Sequence, residues 1–542
     1  MKKAEKASAI VMVFIFTIAM MAGCGTGKGE PAGTSTAAST GSSNAASTGE
    51  QPKDHYDISI ALWDIEKAFP KDQQDKVAET LSQKLNITIK PVNITWDDYT
   101  QKIQVWAASQ QLPDVFAIDA RKTQSYKTWV SQGLIRAVPD DLSKYPDLKD
   151  LLDMSAVQAY KDPDGKYYCI PRPAYQSPEN YSIEFGIKVR KDWMESVGIA
   201  KDPENTDEFI ALLKAFIEKD PGGNGSNNTV GITAWSSYWF VSEIGFSLMP
   251  EINTQWIKED GKWIPGEFSK NILPGLKELK KIWDSGVIDR DMATLKGTEG
   301  EDKFFTGKAG MLAHNTYLTP QEDEKWRKSY PDKKYSDCVK ILLPWKAPDG
   351  NNYRFEGDPI WSESYFPTSV DDKKMDRILM LYDYMLSPEG MELYHYGIEG
   401  VDYKKEGDNI TVTRPKDANG VPAKINTIYP ITDTFWSLAT WDTDYHYLED
   451  PTLDPDEAKV AKDAFDFYIN KCKAVPTDLR ISFLDIADKD KMIASAADDV
   501  MKALMSDNPE KAWDDIIQEH LKNGYEQIIK EINDAAKQAG IN

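Results

Sequence analysis

The 542-residue chain is poor in cysteine and histidine. Its four cysteines are Cys24, Cys169, Cys338 and Cys472, and none of them forms a Cys-x-x-Cys pair. A disulfide framework and a cysteine-ligated zinc site are therefore not expected. One disulfide among the last three thiols remains an open alternative, and the sequence does not identify the pair.

The chain also has fewer basic than acidic residues, 64 against 87, and lacks the motifs of common enzyme classes. Its net charge of −23 argues against nucleic acids and anionic lipid surfaces as partners, because both require basic patches. The histidines show no HExxH or other paired spacing, and neither a GxSxG elbow nor a P-loop occurs. These absences favour a protein that is not an enzyme.

Long apolar runs are missing except at the N-terminus, where three lysines precede an apolar stretch at residues 9–22. That stretch is short for a membrane-spanning helix and has the layout of a cleavable export signal. Its ending, Met-Ala-Gly-Cys24, resembles the bacterial lipobox, in which the cysteine is diacylated and becomes the first mature residue. We therefore predict a signal peptide at 1–23 and lipidation at Cys24; the alternative is a weak membrane anchor with an incidental cysteine.

The segment after Cys24 consists mainly of Gly, Ser, Thr, Ala and Pro. Such a composition buries too little apolar surface to offset its ordering entropy, so residues 24–54 are expected to be a flexible tether. A doubly acylated cysteine holds a protein at a membrane. Together they predict a domain held at the extracellular face of the cell membrane.

The remaining residues are too many for one small core, so at least two lobes are expected. Strands are expected at 58–63, 87–94, 112–119, 183–189 and 229–232, and helices at 72–85, 97–110, 206–219, 274–284, 372–396, 455–471 and 495–542. Strands alternating with helices indicate an α/β fold with largely parallel sheets. Ligands lie beyond the carboxyl ends of such strands, where Trp63 and Asp119 stand.

Five segments in order resemble the extracellular solute-binding protein family 1, the substrate receptors of bacterial ABC importers for sugars, and within it the large lipoprotein subgroup of Gram-positive bacteria. They are 106–115 (WAASQQLPDV), 164–171 (DGKYYCIP), 189–193 with 206–209, 305–311 (FTGKAGM), and 386–390 with 396–400. Each motif alone is weak, but five in the right order behind a lipobox are specific. The resemblance covers nearly all of the folded chain.

The resemblance implies a two-lobed, periplasmic-binding-protein-like fold of type II with the ligand cleft at its hinge. Each lobe would be a mainly parallel sheet flanked by helices. Lobe one would hold 55–180 and 345–405, and lobe two would hold 185–335 and 430–542. Closure of the lobes on the ligand would signal to membrane permease subunits.

A calcium-binding loop is common among these relatives, and residues 220–229 (DPGGNGSNNT) retain part of it. Asp220, Asn224 and Asn228 offer oxygens, but Gly222 occupies the third position and the acidic end is missing. Calcium requires six to eight oxygens, so the sequence favours a Gly/Asn-rich turn over a metal site. We expect that no cofactor is required.

Aromatic residues are abundant at the expected loops, with 16 Trp and 25 Tyr. Flat aromatic rings cover the apolar face of a sugar, while carboxylates and amides hydrogen-bond its hydroxyl edge. The candidate ligand-binding residues on this basis are Trp63, Asp119, Trp235, Tyr238, Trp239, Tyr317, Asp358, Trp361, Glu363, Trp436 and Trp441. Arg190 is a further candidate for an acidic group on the ligand; for any single aromatic, the alternative is an ordinary core position.

The leading hypothesis is a monomeric, lipid-anchored receptor that binds a carbohydrate, favoured as an oligosaccharide by the many aromatics. A surface glycoside hydrolase is the alternative, since two carboxylates in an aromatic cleft suffice for that chemistry. A tethered adhesin without a small ligand is a third. The sequence identifies neither the sugar nor whether it is acidic.

Overall fold

A computed structural model describes residues 54–541 except 71–73, 96–97, 226–227, 253, 296–297, 408, 417–421, 451–452, 487–491 and 493–495. The predicted signal peptide, Cys24 and nearly all of the predicted tether lie outside the described residues. Within the described part, no helix is both long enough and apolar enough to cross a membrane.

Fifteen strands occur among the described residues. They are β1 (Tyr56–Trp63), β2 (Ile87–Ile94), β3 (Val115–Ile118), β4 (Ile170–Pro173), β5 (Gly186–Arg190), β6 (Val230–Ala234), β7 (Ile257–Glu259), β8 (Lys262–Ile264), β9 (Ala309–His314), β10 (Val339–Leu342), β11 (Tyr353–Arg354), β12 (Ile360–Tyr365), β13 (Tyr403–Glu406), β14 (Asn409–Val412) and β15 (Lys473–Ala474).

Helices cover most of the remaining described residues. The α-helices are α1 (Lys76–Leu85), α2 (Tyr99–Ser109), α3 (Gln124–Ser131), α4 (Pro146–Asp153), α5 (Ser155–Gln158), α6 (Lys191–Val197), α7 (Thr206–Lys219), α8 (Ser237–Phe240), α9 (Phe246–Leu248), α10 (Ile272–Asp284), α11 (Thr298–Phe305), α12 (Pro320–Ser329), α13 (Tyr335–Cys338), α14 (Asp372–Leu386), α15 (Pro388–Tyr396), α16 (Ile425–Ile428), α17 (Thr432–Leu438), α18 (Pro455–Lys471), α19 (Ala496–Met505), α20 (Pro509–His520) and α21 (Glu526–Gln538). Short 3₁₀ helices cover Ile65–Ala68, Pro178–Glu184, Gly266–Phe268 and Leu479–Phe483, and π-helical turns cover Val241–Gly245, Tyr445–Glu449 and Leu521–Tyr525.

The first lobe is built on a five-stranded sheet of order β2-β1-β3-β12-β4. Its edge strands contain prolines, Pro91 in β2 and Pro171 and Pro173 in β4. Proline has no backbone N–H for a ladder, so it is tolerated at a sheet edge and not in the centre. The proline-free β1, whose last four residues are all buried, pairs on both sides.

The second lobe is built on a four-stranded sheet of order β10-β5-β9-β6. The two-lobed α/β fold is therefore confirmed, but the prediction of mainly parallel sheets is wrong. β12 runs antiparallel to β3 and β4, and β5 runs antiparallel to β9 and β10. The reason is connectivity: β5 and β12 each follow a segment that has just crossed between the lobes, so each enters its sheet from the opposite end.

Each sheet carries its own hydrophobic core. The first core extends from Ile58 to Ile170 and from Ile360 to Ala439, and the second from Ile187 to Trp345 with additions from α19 and α20. Two predicted lobe boundaries differ from this packing. Trp345 lies in the second core and Phe435 in the first, because short segments such as α17 carry no local signal of which core they join.

Among the described residues, three crossings lead from one core to the other. The crossings follow β4, β10 and α17, and the first is made by the 3₁₀ helix Pro178–Glu184. A separate small apolar cluster fills this region, with Ala174, Ile183, Tyr317 and Ala461 at its centre. The three remaining cysteines, Cys169, Cys338 and Cys472, are buried free thiols.

An aromatic cleft as the candidate functional site

A cavity of about 740 Å³ lies between the two lobes, beside the crossing segments. Its lining includes side chains from the first lobe (Trp63, Tyr99, Asp119, Lys122, Trp361), the second lobe (Tyr238, Phe246, Trp256), the crossings (Tyr181, Phe185, Arg354, Phe355, Glu356, Asp358) and the segment after β15 (Thr477). Its volume falls in the upper half of the range typical of small-molecule sites, about 300–1,000 Å³. Five predicted ligand residues therefore line one cavity: Trp63, Asp119, Tyr238, Asp358 and Trp361.

Tryptophans form the first-lobe wall of the cleft. Trp63, the last residue of β1, meets Trp361 of β12 edge to face, with ring centroids 5.2 Å apart. Tyr99 packs against the other side of Trp63 at 5.6 Å. Trp63 is nearly fully buried, whereas Trp361 is 37% exposed. Trp361 is thus a supported ring with a free surface, as required of a platform that stacks on a flat ligand.

Arg172 of β4 lies directly behind this wall. Its guanidinium carbon is 4.7 Å from the ring centroid of Trp361, 5.4 Å from Trp63, 5.5 Å from Trp436 and 5.7 Å from Trp441. The Nε atom donates to the Ser362 hydroxyl at 2.9 Å, and Nη1 donates to the Trp436 carbonyl at 2.7 Å. Burial lowers the pKa of Arg172 to about 10, so it stays charged at neutral pH and holds four indoles by cation–π attraction.

Carboxylates and a lysine form the polar edge of the same wall. Asp119, just beyond β3, is open to solvent in the cleft, yet the surrounding protein and then the nearby Asp358 charge raise its pKa. Lys122 forms an ion pair with Asp358, which also accepts a hydrogen bond from the Tyr160 hydroxyl at 2.7 Å. Asp358 is thus neutralised, while Asp119 has no hydrogen bond within the described part of the chain. It is available to accept hydrogen bonds from ligand hydroxyls.

The second-lobe side and the crossings supply further aromatic surface. Tyr238, at the start of α8, is 45% exposed and meets Trp239 edge to face at 5.8 Å. Phe185, Phe355 and Phe246 stack in a row, with centroid spacings of 3.8 and 3.7 Å. Rings from both lobes therefore face one cavity.

The other predicted residues are buried or partly buried and do not line this cavity. Trp436 and Trp441 support the first wall through Arg172, and Tyr317 stacks on Tyr447 and donates to Glu184 at 2.8 Å. Trp235 and Trp239 enclose the ring of His314. Arg190 forms a bidentate pair with Asp192, so its charge is already satisfied by the protein.

Glu363 faces away from the cleft. It is buried, and its Oε2 accepts from the Ala120 N–H and the Tyr365 hydroxyl, both at 2.9 Å. Burial and the neighbouring Asp119 charge raise its pKa to about 7. Residues two apart in a regular strand share a face, but a β-bulge between Ile360 and Ser362 shifts the register at Trp361, so Trp361 is exposed while Glu363 is buried.

Several cleft residues were not found from the sequence. Lys122 lies three residues after Asp119, and Arg172 directly follows the DGKYYCIP motif. Both therefore stand next to features that the sequence identifies. Trp256 and Thr477 come from segments without a motif. Only tertiary packing places them here.

Side-chain hydrogen bonds hold the described residues of the candidate calcium loop. Asp220 accepts from the N–H groups of Asn224 and Gly225 at 3.0 and 2.8 Å, and from the Thr229 hydroxyl. The Asn224 amide donates to the Gly307 carbonyl at 2.8 Å, and the Asn228 amide donates to the Asn224 carbonyl at 3.0 Å. These bonds occupy the Asp220 carboxylate, and the expectation of a turn in place of a calcium site stays a prediction.

The chain matches the family model described as bacterial extracellular solute-binding protein over residues 64–392, more than half of its length. It is 27% identical over 486 residues to the polygalacturonan/rhamnogalacturonan-binding protein YtcQ of Bacillus subtilis (strain 168), covering 87% of this chain and 89% of that one. It is 27% identical over 359 residues to the lipoprotein LipO of the same organism, covering 62% of this chain and 66% of that one.

A solved structure with a similar fold is the Streptococcus pneumoniae ABC-transporter substrate-binding protein FusA in complex with kestose. Its TM-score is 0.66 at 18% identity, and the match covers 89% of this chain and 99% of that chain. The two-lobed fold is therefore shared over nearly the whole length of that protein.

Proposed function

Because the chain belongs to the bacterial extracellular solute-binding protein family, we propose that it is a carbohydrate receptor of an ABC importer. The observation that carries this proposal is the cleft itself, which is lined by both the exposed Trp361 ring and the unpaired Asp119 carboxylate. A tryptophan face covers the C–H face of a sugar ring, and a carboxylate accepts from its hydroxyl edge. The names of YtcQ and FusA, a polysaccharide and a fructooligosaccharide binder, support the same ligand class.

The size of the cleft favours an oligosaccharide. At about 740 Å³ it has room beyond a single ring, and its aromatic surface continues from Trp361 across to Tyr238 and Phe246. A chain of linked sugars presents a series of apolar faces that several rings can cover in turn. We therefore assign to the cleft a ligand of more than one sugar unit.

The arrangement of acids favours binding over hydrolysis. A glycosidase places an acid and a second carboxylate on opposite sides of the scissile bond. Here Asp358 is held in an ion pair by Lys122, and Glu363, whose raised pKa would suit a general acid, is buried behind the sheet. Glu356 pairs with Arg354, so among the described acids that line the cleft only Asp119 has no ion pair, which supports a receptor.

In this proposal the protein acts as a monomer at the extracellular face of the cell membrane, held by lipid on Cys24, and delivers its ligand to permease subunits. The lipobox-like ending at Cys24 and the lipoprotein name of LipO support the anchor. Loss of metabolic fatty-acid labelling in Cys24→Ser would test it.

The ligand claim is tested by isothermal titration against a panel of neutral and acidic oligosaccharides, with Trp361→Ala beside the wild type. Removing the platform ring should weaken binding of the best ligand by about 10- to 100-fold, equivalent to roughly 1.4–2.8 kcal/mol. Trp283→Ala is the matched control, since Trp283 is a half-buried ring on α10 outside the cleft. It should leave the affinity unchanged.

Binding to peptides with none to any oligosaccharide would overturn the carbohydrate claim and leave the fold untouched. Release of shorter sugars during prolonged incubation, abolished in Asp119→Asn, would favour the hydrolase instead. If Trp361→Ala and Trp283→Ala lost equal amounts of oligosaccharide affinity, the cleft would not be the binding site.

A further inference from the structure

We propose that Glu267, Asp499 and His520 form a binding site for a divalent transition metal such as Zn²⁺, in the second lobe and separate from the sugar cleft. Glu267 comes from the 3₁₀ helix Gly266–Phe268, Asp499 from α19 and His520 from the end of α20. One carboxylate oxygen of each acid and one imidazole nitrogen all lie within 4.8 Å of one another. This spacing allows them to close on one ion with small side-chain movements.

Glu267 is the observation that points to a cation. Its side chain is only 8% exposed, yet it makes no hydrogen bond or ion pair with any residue in the described part of the chain. An unpaired buried carboxylate is costly, and native structures normally pair it or bind it to a metal. The groups in front of it are the Asp499 carboxylate and the His520 ring. A metal ion satisfies all three together.

The other two groups are already oriented. Lys502 donates to Asp499 Oδ1 at 2.9 Å and leaves Oδ2 facing His520 Nε2 at 2.7 Å. The His520 ring stacks on Tyr525, with centroids 4.9 Å apart and planes 12° apart. Contacts of this kind fix the direction of metal ligands in known sites.

The donor set indicates the class of ion. One imidazole nitrogen with two carboxylate oxygens suits Zn²⁺ and its first-row neighbours, whereas Ca²⁺ and Mg²⁺ prefer oxygen ligands alone. The two carboxylates and the Lys502 ammonium sum to one negative charge, so a divalent ion is electrostatically favoured. Asp499 is nearly fully buried, while His520 is partly exposed and gives access from solvent.

A second cluster in the same lobe provides an internal comparison. Glu301, His314 and Glu322 satisfy the same spacing. There, however, Lys325 pairs with Glu301 at 2.8 Å and Lys188 pairs with Glu322 at 3.1 Å. Both carboxylates already hold a cation, so this cluster is expected to bind no metal.

The test is isothermal titration of the untagged, metal-stripped protein with ZnCl₂, comparing wild type with Glu267→Gln, His520→Gln and His314→Gln. We expect one Zn²⁺ per chain. Loss of even an outer-shell partner typically weakens metal binding by about 10- to 100-fold, so loss of a direct ligand should cost about 100-fold or more. His314→Gln should bind Zn²⁺ as the wild type does, and Ca²⁺ should not compete.

Cobalt provides a readout that does not depend on the variants folding. Co²⁺ added to wild type should give visible ligand-field absorption at one equivalent, displaced by Zn²⁺. Absence of stoichiometric Zn²⁺ binding by wild type would overturn the proposal. The proposal would also be overturned if Glu267→Gln, shown to be folded by circular dichroism, bound Zn²⁺ with unchanged affinity. Loss of Zn²⁺ binding in His314→Gln would overturn it as well.

Discussion

Arg172 shows how one buried charge organises a binding surface. Its two hydrogen bonds and four indole contacts tie β4 to β12 and to α17. Arg172→Lys keeps the charge but loses the planar fork, so neither hydrogen bond is retained in its present geometry. Since hydrogen bonds of charged groups contribute about 1.5–3 kcal/mol, we expect the free energy of unfolding to fall by about 3 kcal/mol in urea denaturation. Sugar affinity should fall with it.

An exposed arginine gives the control for this substitution. Arg480 pairs only with Asp478, two residues away, on the surface. Arg480→Lys should change the free energy of unfolding by no more than about 0.5 kcal/mol. An Arg172→Lys protein as stable as Arg480→Lys would contradict the assigned role.

Glu363 should make stability depend on pH. Its pKa in the folded protein is about 7, above the usual value of an unfolded glutamate because of burial and the Asp119 charge. The folded state therefore holds a proton that the unfolded state has released between about pH 4.5 and 7. The contribution of Glu363 to the free energy of unfolding is therefore largest below about pH 4.5. It decreases by about 3 kcal/mol in total as the pH rises to about 7.

Urea denaturation across this pH range checks the expectation. Glu363→Gln should remove the part of the decrease in the free energy of unfolding that Glu363 causes. Glu363→Asp keeps a titratable acid, so its free energy of unfolding should still decrease as the pH rises. A Glu363→Gln profile parallel to that of the wild type would show that Glu363 ionises normally.

Residues at strand ends could be predicted from the sequence, and residues behind them could not. Trp63 and Asp119 follow apolar strands, and the rule that ligands lie beyond strand ends was enough to find them. Glu363 was also selected because of its aromatic neighbours, but the bulge at Trp361 leaves Glu363 buried. Arg172 was missed although it directly follows the DGKYYCIP motif, because its contacts with four tryptophans that are distant in sequence arise only in the fold.

Elements were predictable where the apolar pattern is regular. The expected bounds 87–94 and 455–471 match β2 and α18, and the prolines of β2 and β4 agree with their edge positions. The placement of α17 in the first core was missed, since a seven-residue helix fits either lobe equally well by pattern. The mixed sheets were missed because strand direction depends on the crossings.

Two buried glycines in helical segments give a prediction at the scale of elements. A Cβ on Gly300 of α11 would lie 1.8 Å from the Ala234 carbonyl oxygen of β6, so helix and sheet would have to separate. Gly300→Ala should lower the free energy of unfolding by about 3 kcal/mol. At Gly245 the nearest atoms are side-chain carbons at 3.4 Å, so Gly245→Ala should stay within about 1 kcal/mol of wild type. Urea denaturation of both proteins checks the contrast, and equal effects would contradict the close packing of α11 on β6.

At the scale of the whole molecule, the cleft has two walls on separate cores joined by three crossings. A ligand shifts a hinge only through contacts that differ between the open and closed states. The rings of Trp361 and Tyr238 are the exposed aromatics on the two walls, one on each lobe. The first wall has both a ring and the unpaired Asp119, so it is expected to capture the sugar, and the second wall is expected to close on it.

Small-angle X-ray scattering with the tightest-binding oligosaccharide of the panel tests this division. The wild type at saturation should show a smaller radius of gyration than without sugar. Tyr238→Ala should still bind, because the first wall is intact, but the radius of gyration should change less at equal saturation, since the second lobe has lost its contact. Trp283→Ala should compact as the wild type does. Full compaction of Tyr238→Ala would show that closure depends on other contacts of the second lobe, such as Phe246 or Trp256, which also line the cleft.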